Sequence, residues 1–332
     1  MEILFIFLFI VLFNLLIFFK FQTISKKLFL FDKPDGRLKK HSEPVSFIGG
    51  LIILINLYLI ILILKLFNLD NLIFDSDFII PFLILASLFY IIGLIDDIKD
   101  LAPNLKLLLL FISTIFIIYF FPAINLEQIK ISFLGDKYHF KYSSLFLVFC
   151  FALLANAINM FDGINLQLIL FTFYLFVLFI LKGFIPIFFI FLLVPLFFLA
   201  ILNYNNKVFL GDSGAYLISI IIGCTFIYQY KNFDNYFFGD EVFVILIIPS
   251  IDMLRLFVLR LINKKHPFKG DLNHLHHMVD KFTKNKNLTV LITIILSLIP
   301  AMLLLLNFKT YIILVISLTI YSILILYLRQ KI

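Results

Sequence analysis

The chain has 332 residues, of which 63% are hydrophobic and 14% are charged, and its formal net charge is +7. A water-soluble domain of this length needs more polar surface than this composition provides, so the apolar side chains require lipid as a second environment. Both cysteines, Cys150 and Cys224, lie within apolar runs and indicate neither a disulfide framework nor a metal cluster. Basic loops beside anionic lipid explain the positive charge better than a nucleic-acid partner does.

Eleven apolar runs follow one another, and each approaches the ~20 residues that a bilayer span requires. They cover residues 3–22, 46–66, 78–95, 105–121, 144–160, 165–182, 185–202, 214–230, 242–262, 288–306 and 310–328. Several runs touch, so a count of ten also fits. The first lacks a basic leading segment and a cleavage site, and is predicted to be a retained helix. The pattern indicates an all-α, multi-pass integral membrane protein in which residues 1–332 form a single transmembrane domain.

Lysine and arginine are unequally divided between the two sides of this membrane region. If the connection after the first run is cytoplasmic, 20 of the 27 basic residues lie on the cytoplasmic side and 7 on the other. The positive-inside rule therefore predicts the N-terminus outside and the C-terminus inside. On the outer side, residues 127–143 alternate around Gly135-Asp136, which predicts a small extracytoplasmic β-hairpin.

Five polar segments interrupt the apolar runs, and the predicted orientation places all of them on the cytoplasmic side. They cover residues 32–50, 96–100, 156–165, 208–214 and 266–277. Random polar connections would be divided between both sides, so a shared face indicates a site. Its loops are predicted near residues 23–46, 96–106, 159–165, 203–213 and 263–287. The first segment is basic and rich in turn-forming residues. By itself it fits a basic signal that orients the first helices better than a binding surface for a phosphorylated ligand, and both interpretations stay open.

The second segment ends the third apolar run with adjacent carboxylates. Asp96 and Asp97 are followed by Asp100, and Lys106 begins the next run. Adjacent carboxylates repel each other unless water solvates them or a cation joins them. A hard divalent cation such as Mg²⁺ prefers oxygen ligands and suits such a pair. A solvated cluster at a helix end is the alternative.

The third segment places amides and a carboxylate at the end of an apolar run. Asn156, Asn159 and Gly163 are three and four residues apart, which predicts that they share one helical face, with Asp162 beside it. Polar groups there are costly unless they line a polar cavity. Contacts between helices or a cap are the alternatives.

The fourth segment opens another apolar run with small residues around a carboxylate. Gly211, Asp212, Ser213 and Gly214 would let backbone N–H groups and a metal approach a phosphate. The alternative is that Asp212 or Ser213 only caps the helix.

The fifth segment concentrates histidines. His274, His276 and His277 lie within four residues, without a nearby cysteine and among basic residues. This pattern favours hydrogen-bond donors to phosphate oxygens over a zinc site, with a solvated, pH-sensitive loop as the alternative. In the run before it, Asp252 and Arg255 have the three-residue spacing of a structural ion pair.

The five segments, in this order, resemble the polyprenyl-phosphate N-acetylhexosamine-1-phosphate transferases of the glycosyltransferase 4 type, over roughly residues 25–280. The matching stretches are residues 37–50, Asp96-Asp97-x-x-Asp100, Asn156-Ala-x-Asn159-x-x-Asp162-Gly163, Phe209-x-Gly211-Asp212-x-Gly214, and Pro267-Phe268 leading to His274-x-His276-His277. The spaced histidines resemble the WecA-like branch. The phospho-N-acetylmuramoyl-pentapeptide transferases, which typically carry a contiguous histidine triplet, rank lower.

The resemblance implies a reaction at the inner (plasma) membrane. A polyprenyl phosphate attacks the β-phosphate of a UDP-N-acetylhexosamine, most simply UDP-GlcNAc, giving a polyprenyl diphospho-sugar and UMP. Mg²⁺ is the implied cofactor, with Mn²⁺ as a substitute. A cell-surface polysaccharide pathway such as lipopolysaccharide synthesis, no nucleic-acid partner and a homodimer are further expectations. A transporter or flippase of lipid-linked sugars is the rival from another class, but it predicts charged groups at the middle of the membrane.

The resemblance also implies roles for individual residues. Asp212 is the leading Mg²⁺ ligand and Asn159 the second. Three residues are implied at the phosphates, with one of the carboxylates as a base: Asp96, Asp97 and Lys106. Three residues are implied to bind the UDP-sugar: Asp162, Asn165 and Phe209. Of these, Asn165 is implied to contact uracil and Phe209 to stack on it. The histidines are implied to hold the diphosphate or the sugar: His274, His276 and His277.

Two positions depart from the family pattern. Many members of the WecA-like branch read Asp-Gly-x-Asp-Gly where this chain has Asp162-Gly163-Ile164-Asn165-Leu166. Asn165 keeps the ability to pair with uracil, since its amide offers a donor and an acceptor. Leu166 in place of glycine puts the local turn in question. Ala215 stands where serine is common and is given no role.

Overall fold

The computed structural model describes residues 1–32, 44–133, 137–139, 143–233, 236–265, 267 and 272–331. Several predicted features lie outside them. These are most of the basic first segment, the tip of the predicted hairpin, and part of the histidine segment, including His266 and Phe268.

The described chain is helical almost throughout, as the apolar runs predict. Its helices are α1 (Glu2–Leu28), α2 (Gly49–Leu66), α3 (Ser76–Lys99), α4 (Pro103–Phe120), α5 (Ser143–Phe161), α6 (Gln167–Leu181), α7 (Pro186–Tyr204), α8 (Gly211–Asn232), α9 (Gly239–Ile245), α10 (Ile247–Ile262), α11 (Leu275–Thr283), α12 (Lys286–Leu305) and α13 (Thr310–Lys331). Short 3-10 turns cover Asp70–Leu72 and Pro122–Ile124. The prediction of an all-α protein is confirmed.

Two short strand pairs complete the described structure. Strands β1 (Phe31–Asp32) and β2 (Val45–Ser46) pair antiparallel, and so do β3 (Gln128–Lys130) and β4 (Lys137–His139). The second pair aligns Gln128 with His139 and Lys130 with Lys137. This is the hairpin that the alternation of residues 127–143 predicts.

Nine helices of the described chain are long and apolar enough to cross a membrane, and a bent pair, α9 with α10, raises the number to ten. All eleven apolar runs form helices, but α6 has 15 residues, fewer than the ~20 of a bilayer span. The count of ten that the touching runs also allowed is therefore the one that helix length supports.

The bend between α9 and α10 is 80°. Pro249 lies in the first turn of α10. Proline has no N–H, so the helical hydrogen bond from residue 249 to the carbonyl of Ile245 is missing, and the helix is interrupted at that point. The interruption separates α10, which carries Asp252 and Arg255, from the short helix before it.

The described residues divide into two compact units. The first comprises Met1–Leu101 and Thr172–Ile222, and the second comprises Ala102–Phe171 and Gly223–Ile332. In the first unit, Phe74 lies against Phe82 and Phe188 with ring centroids 4.8 and 5.4 Å apart, and all three are buried. Helices α1 and α2 are joined by reciprocal amide bonds of 2.7 and 3.0 Å between Asn14 and Asn56. Such pairs satisfy polar groups between membrane helices.

Large apolar side chains on the outer helices remain uncovered by protein. On α1, Leu4, Leu12 and Phe19 expose 62%, 60% and 72% of their surface. On α13, Val315 and Ile323 expose 63% and 61%. Apolar stripes of this size are costly in water and are the expected lipid-facing surfaces of a membrane protein.

Candidate functional site

In the first unit, the acidic end of α3 is bound to the start of α8. The two carboxylate oxygens of Asp97 accept the backbone N–H groups of Asp212 and Ser213 at 2.8 and 3.1 Å. The first N–H groups of a helix have no partner within the helix, so a carboxylate supplied by another helix satisfies them and interacts favourably with the helix dipole. Asp97 therefore fixes the turn that carries Asp212.

Glycines allow this close approach of backbones. A Cβ on Gly93, one turn before Asp96 on α3, would lie 2.5 Å from the backbone N and Cα of Ser213. The two residues before Gly211 are also paired through their backbone. The N–H groups of Gly49 and Gly50 donate to the carbonyls of Phe209 and Leu210, both at 3.1 Å. The Gly49-Gly50 pair of the sequence motif thus packs against the Gly211–Gly214 segment.

Asp96 is more deeply placed than its neighbour. Its side chain is 4% exposed, and one oxygen accepts the N–H of Leu101 at 2.9 Å, beyond the end of α3. Asp97, Phe209 and Asp212 remain half-buried. Asp97 and Asp212 are therefore better placed than Asp96 to meet a ligand in the first unit.

Replacing Asp97 by Ala is expected to lower the free energy of unfolding by about 1–3 kcal/mol, because two helix N–H groups lose a charged acceptor. The measurement is the unfolding midpoint of the purified protein in detergent. Asp75→Ala is the matched control, since Asp75 also precedes a helix but its side chain makes no cap hydrogen bond. Equal midpoints for the two variants would contradict the capping role of Asp97.

In the second unit, the asparagine segment ends a helix. Helix α5 ends at Phe161, so Asp162 and Gly163 lie beyond it. The prediction that Gly163 shares a helical face with Asn156 and Asn159 is therefore wrong, because the helix ends two residues before Gly163. The chain turns there instead, and Leu166 adopts φ 70°, the left-handed region that glycine favours. Leu166, which stands where the family pattern has glycine, is thus the residue with the strained backbone in this turn.

The histidine helix α11 meets this turn. The Nε2 atom of His276 would lie 1.8 Å from a Cβ on Gly163, so the ring rests directly on the glycine. His276 is 2% exposed, and within the described part of the chain its Nε2 has no hydrogen-bond partner. Buried polar atoms are nearly always paired, so an unpaired one beside a predicted ligand segment is a functional signal.

His274 differs from His276 in having a strong partner. Its Nδ1 lies 2.9 Å from a carboxylate oxygen of Asp252 on α10. Asp252 also pairs with Arg255 at 2.8 Å, as the three-residue spacing predicts. His277 is half-buried, with its ring centroid 4.2 Å from that of His276. The three histidines therefore have three different environments.

Burial is the main cause of the histidine pKa shifts on α11. It holds the pKa of His276 well below its ordinary value, with smaller contributions from the charges of His277 and His274. Burial and the charge of His274 lower the pKa of His277 to about 4, with Lys281 acting in the same direction and Asp280 and Asp252 opposing. Both rings are therefore neutral at pH 7.

Stability is expected to fall as the pH is lowered from about 6.5 to about 4. An unfolded histidine has a pKa near ~6.5, so in this window the unfolded chain binds protons that the native rings refuse. The measurement is the unfolding temperature in detergent between pH 8 and 4. His277→Gln is expected to flatten the profile in that window, and an unchanged slope would contradict the assignment.

The predicted site residues divide between the two units. The first unit holds Asp96, Asp97, Phe209 and Asp212, and the second holds Lys106, Asn159, Asp162, Asn165, His274, His276 and His277. Lys106, Asn159, Asp162 and Asn165 are half-buried. The pairing of Asp212 with Asn159 as metal ligands, and the shared cytoplasmic face of all five segments, stay predictions.

Sequence patterns missed several residues of these clusters. The sequence gives one indication of Gly93, because a glycine interrupts the apolar run one turn before Asp96 and Asp97. Gln167 opens α6 fully buried, and its amide N and O have no partner among the described residues. Tyr321, whose hydroxyl lies 2.6 Å from Asp252, is separated from it by 69 residues and gives no local signal.

The helices and these clusters define a multi-pass membrane protein whose acidic and histidine side chains lie at helix ends. The model of glycosyl transferase family 4 matches residues 79–230. The chain is also 28% identical, over 282 residues, to undecaprenyl-phosphate alpha-N-acetylglucosaminyl 1-phosphate transferase of Thermotoga maritima. That alignment covers 82% of this chain and 80% of the relative.

Residues 79–230 therefore resemble glycosyl transferase family 4, and the two comparisons together indicate a membrane transferase. The family model covers α4, α5, α6 and α7 completely and most of α3 and α8. It therefore includes the acidic end of α3, the turn after α5 and the Gly211–Gly214 segment, while the histidine helix lies beyond it.

Proposed function

We propose that this protein transfers N-acetylhexosamine 1-phosphate from a UDP-sugar to a polyprenyl phosphate and releases UMP. The observation that carries the proposal is the start of α8, where half-buried Asp212 is held in place by the carboxylate of Asp97. UDP-GlcNAc is the first candidate donor, because the Thermotoga maritima relative is named for N-acetylglucosaminyl 1-phosphate transfer.

Phosphoryl transfer suits these residues because it requires alignment and charge neutralisation more than a covalent partner. A helix start of fixed geometry that carries the Asp212 carboxylate can orient a metal, and through the metal a phosphate. The half-buried Lys106 at the start of α4 adds a positive charge. His276 adds a buried nitrogen without a described partner. These groups bind and orient anionic oxygens, and none of them requires a covalent intermediate.

The oxygen donors fit Mg²⁺ chemistry. Asp212 offers a carboxylate and Asn159 an amide oxygen, which are ligands that this cation prefers. Among the described residues no three His, Cys, Asp or Glu side chains form a group that could hold a metal. Mg²⁺ sites at phosphates often use one or two protein carboxylates, with phosphate and water completing the shell. When bound, the ion would neutralise charge on the diphosphate.

The acceptor needs little help from a protein base. A phosphate monoester has a second pKa near ~6, so much of it is already a dianion at neutral pH. Both oxygens of Asp97 already accept backbone N–H groups, and Asp96 accepts one and is 4% exposed. These contacts favour a positioning role for Asp97 over proton abstraction.

The proposal places this site at the cytoplasmic side of the plasma membrane, with the N-terminus outside. The support is the unequal division of the 27 basic residues. A nucleotide-sugar reaches the site from the cytoplasm and the lipid phosphate from the inner leaflet. The homodimer stays a prediction.

The test uses purified protein in detergent, undecaprenyl phosphate, Mg²⁺ and a panel of UDP-sugars that includes UDP-GlcNAc and UDP-MurNAc-pentapeptide. The expected result is UMP and lipid product with UDP-GlcNAc. Chelation by EDTA should stop the reaction, and Mg²⁺ or Mn²⁺ should restore it. No UMP with any member of the panel would overturn the proposed function.

A further inference from the structure

Asp252 is the centre of a polar cluster in the second unit that joins three elements. Its carboxylate accepts the Arg255 guanidinium at 2.8 Å, the Tyr321 hydroxyl at 2.6 Å and the N–H of Leu275 at 3.1 Å. The fourth contact is Nδ1 of His274 at 2.9 Å. Asp252, on α10, therefore contacts both the last helix, α13, and the start of the histidine helix, α11.

The cluster is buried and closely connected. Asp252 is 6% exposed and Tyr321 is 5% exposed. Arg255 also donates to the Tyr321 hydroxyl and to the carbonyl of Asn273, both at 2.7 Å. A buried carboxylate is tolerated when it is paired and its lone pairs are satisfied, and both conditions are met.

These contacts determine which nitrogen of His274 carries a proton. A carboxylate next to a guanidinium is ionised and offers only lone pairs, so Nδ1 of His274 must donate the hydrogen bond. In the neutral ring, Nε2 then keeps its lone pair. A carboxylate that holds a functional histidine in one tautomer and one orientation is a widespread arrangement in enzymes.

The same carboxylate sets the position of the histidine helix. Leu275 is the first residue of α11, so its N–H bond to Asp252 caps that helix. The rings of His274 and His276 are parallel, with an interplanar angle of 6° and centroids 5.5 Å apart. His276 in turn rests on Gly163. A displacement of Asp252 would therefore move both rings relative to the turn after α5.

We propose that Asp252 and Tyr321 are positioning residues, which hold the Nδ1–H form of His274 and the start of α11 in the geometry that the transfer reaction needs. The part of this proposal that concerns what the histidines contact during the reaction rests on the proposed function. The tautomer of His274 and its bond to Asp252 do not depend on that function. The alternative is an ion pair that only stabilises the fold.

The kinetic test uses Tyr321→Phe, which removes one hydroxyl, and Tyr311→Phe as the matched control on the same helix. Tyr321→Phe is expected to lower kcat about tenfold, with the KM for the UDP-sugar changed less than about twofold. In a His274→Ala background the same substitution should have almost no further effect, because residues that act as a unit are not additive. Equal losses in both backgrounds would overturn the proposal.

A second measurement decides the proposal even if the protein proves to have no transferase activity. In ¹⁵N-histidine-labelled protein at pH 8, the His274 signals, assigned by their loss in His274→Ala, should report a protonated Nδ1. Asp252→Ala should shift them. An Nε2–H tautomer at His274 would overturn the proposal, as would an unchanged His274 spectrum in a folded Asp252→Ala protein.

Discussion

Replacing Asp212 by Asn is expected to lower kcat by about 10²–10³-fold while leaving the protein folded. The side chain keeps its shape but loses the charge that would hold the metal at the transferring phosphate. The backbone bond from Asp212 to Asp97 at 2.8 Å does not involve the side chain of Asp212, so the start of α8 should stay in place. The measurement is UMP release per enzyme at saturating UDP-sugar, together with the unfolding temperature.

The matched control is Asp77→Asn. Asp77 is also an acidic residue in the first turn of a long apolar helix, α3, but it is exposed. The activity of the Asp77→Asn variant should stay within about twofold of that of the unsubstituted protein, because surface substitutions usually have small effects. Near-normal turnover of Asp212→Asn would contradict the role of Asp212 as the leading metal ligand.

Replacing Gly163 by Ala is the second substitution with a large expected effect, a loss of about 100-fold in kcat. The new Cβ would lie 1.8 Å from Nε2 and 2.5 Å from Cε1 of His276. His276 is 2% exposed, so its ring has little room to withdraw without moving α11. Displacement of a positioned group by about 1 Å can cost ~10²-fold in rate.

Gly239→Ala controls for the general effect of adding a methyl group. Its Cβ would lie 2.8 Å from Cγ2 of Ile129 and 3.6 Å from the carbonyl oxygen of Lys130, so the added methyl group crowds β3 and not the histidine helix. A second control is the double variant with His276→Ala, in which Gly163→Ala should cause little further loss. If Gly163→Ala retains full activity, the contact between the histidine helix and the turn after α5 has no role in turnover.

Local patterns predicted the helices and their polar ends because both depend on short-range chemistry. Apolar runs of span length can only be helical in lipid, and small residues around Asp212 marked a helix start that the structure places at Gly211. The acidic pair likewise lies in the last turn of α3. The sequence did not reveal that Asp97 would cap α8, since 115 residues separate Asp97 from Asp212.

Long-range packing explains the remaining differences. Helix α5 ends at Phe161 and the chain turns there, so Gly163 does not lie on the predicted helical face. In the same turn, Leu166 adopts a left-handed backbone conformation that residues other than glycine rarely adopt. Tyr321 joins the Asp252 cluster from the last helix, which carries no polar motif of its own. Residues of this kind become visible only when the packing of α10, α11 and α13 is known.

The central claim is transfer of a sugar together with its phosphate, and the fate of the β-phosphorus tests it most directly. Purified protein is incubated with undecaprenyl phosphate, Mg²⁺ and UDP-GlcNAc labelled with ³²P at the β-phosphate. The account predicts that the label moves into the lipid fraction with equimolar release of UMP. Label that stays in the aqueous phase as UDP, with unlabelled sugar on the lipid, would contradict it.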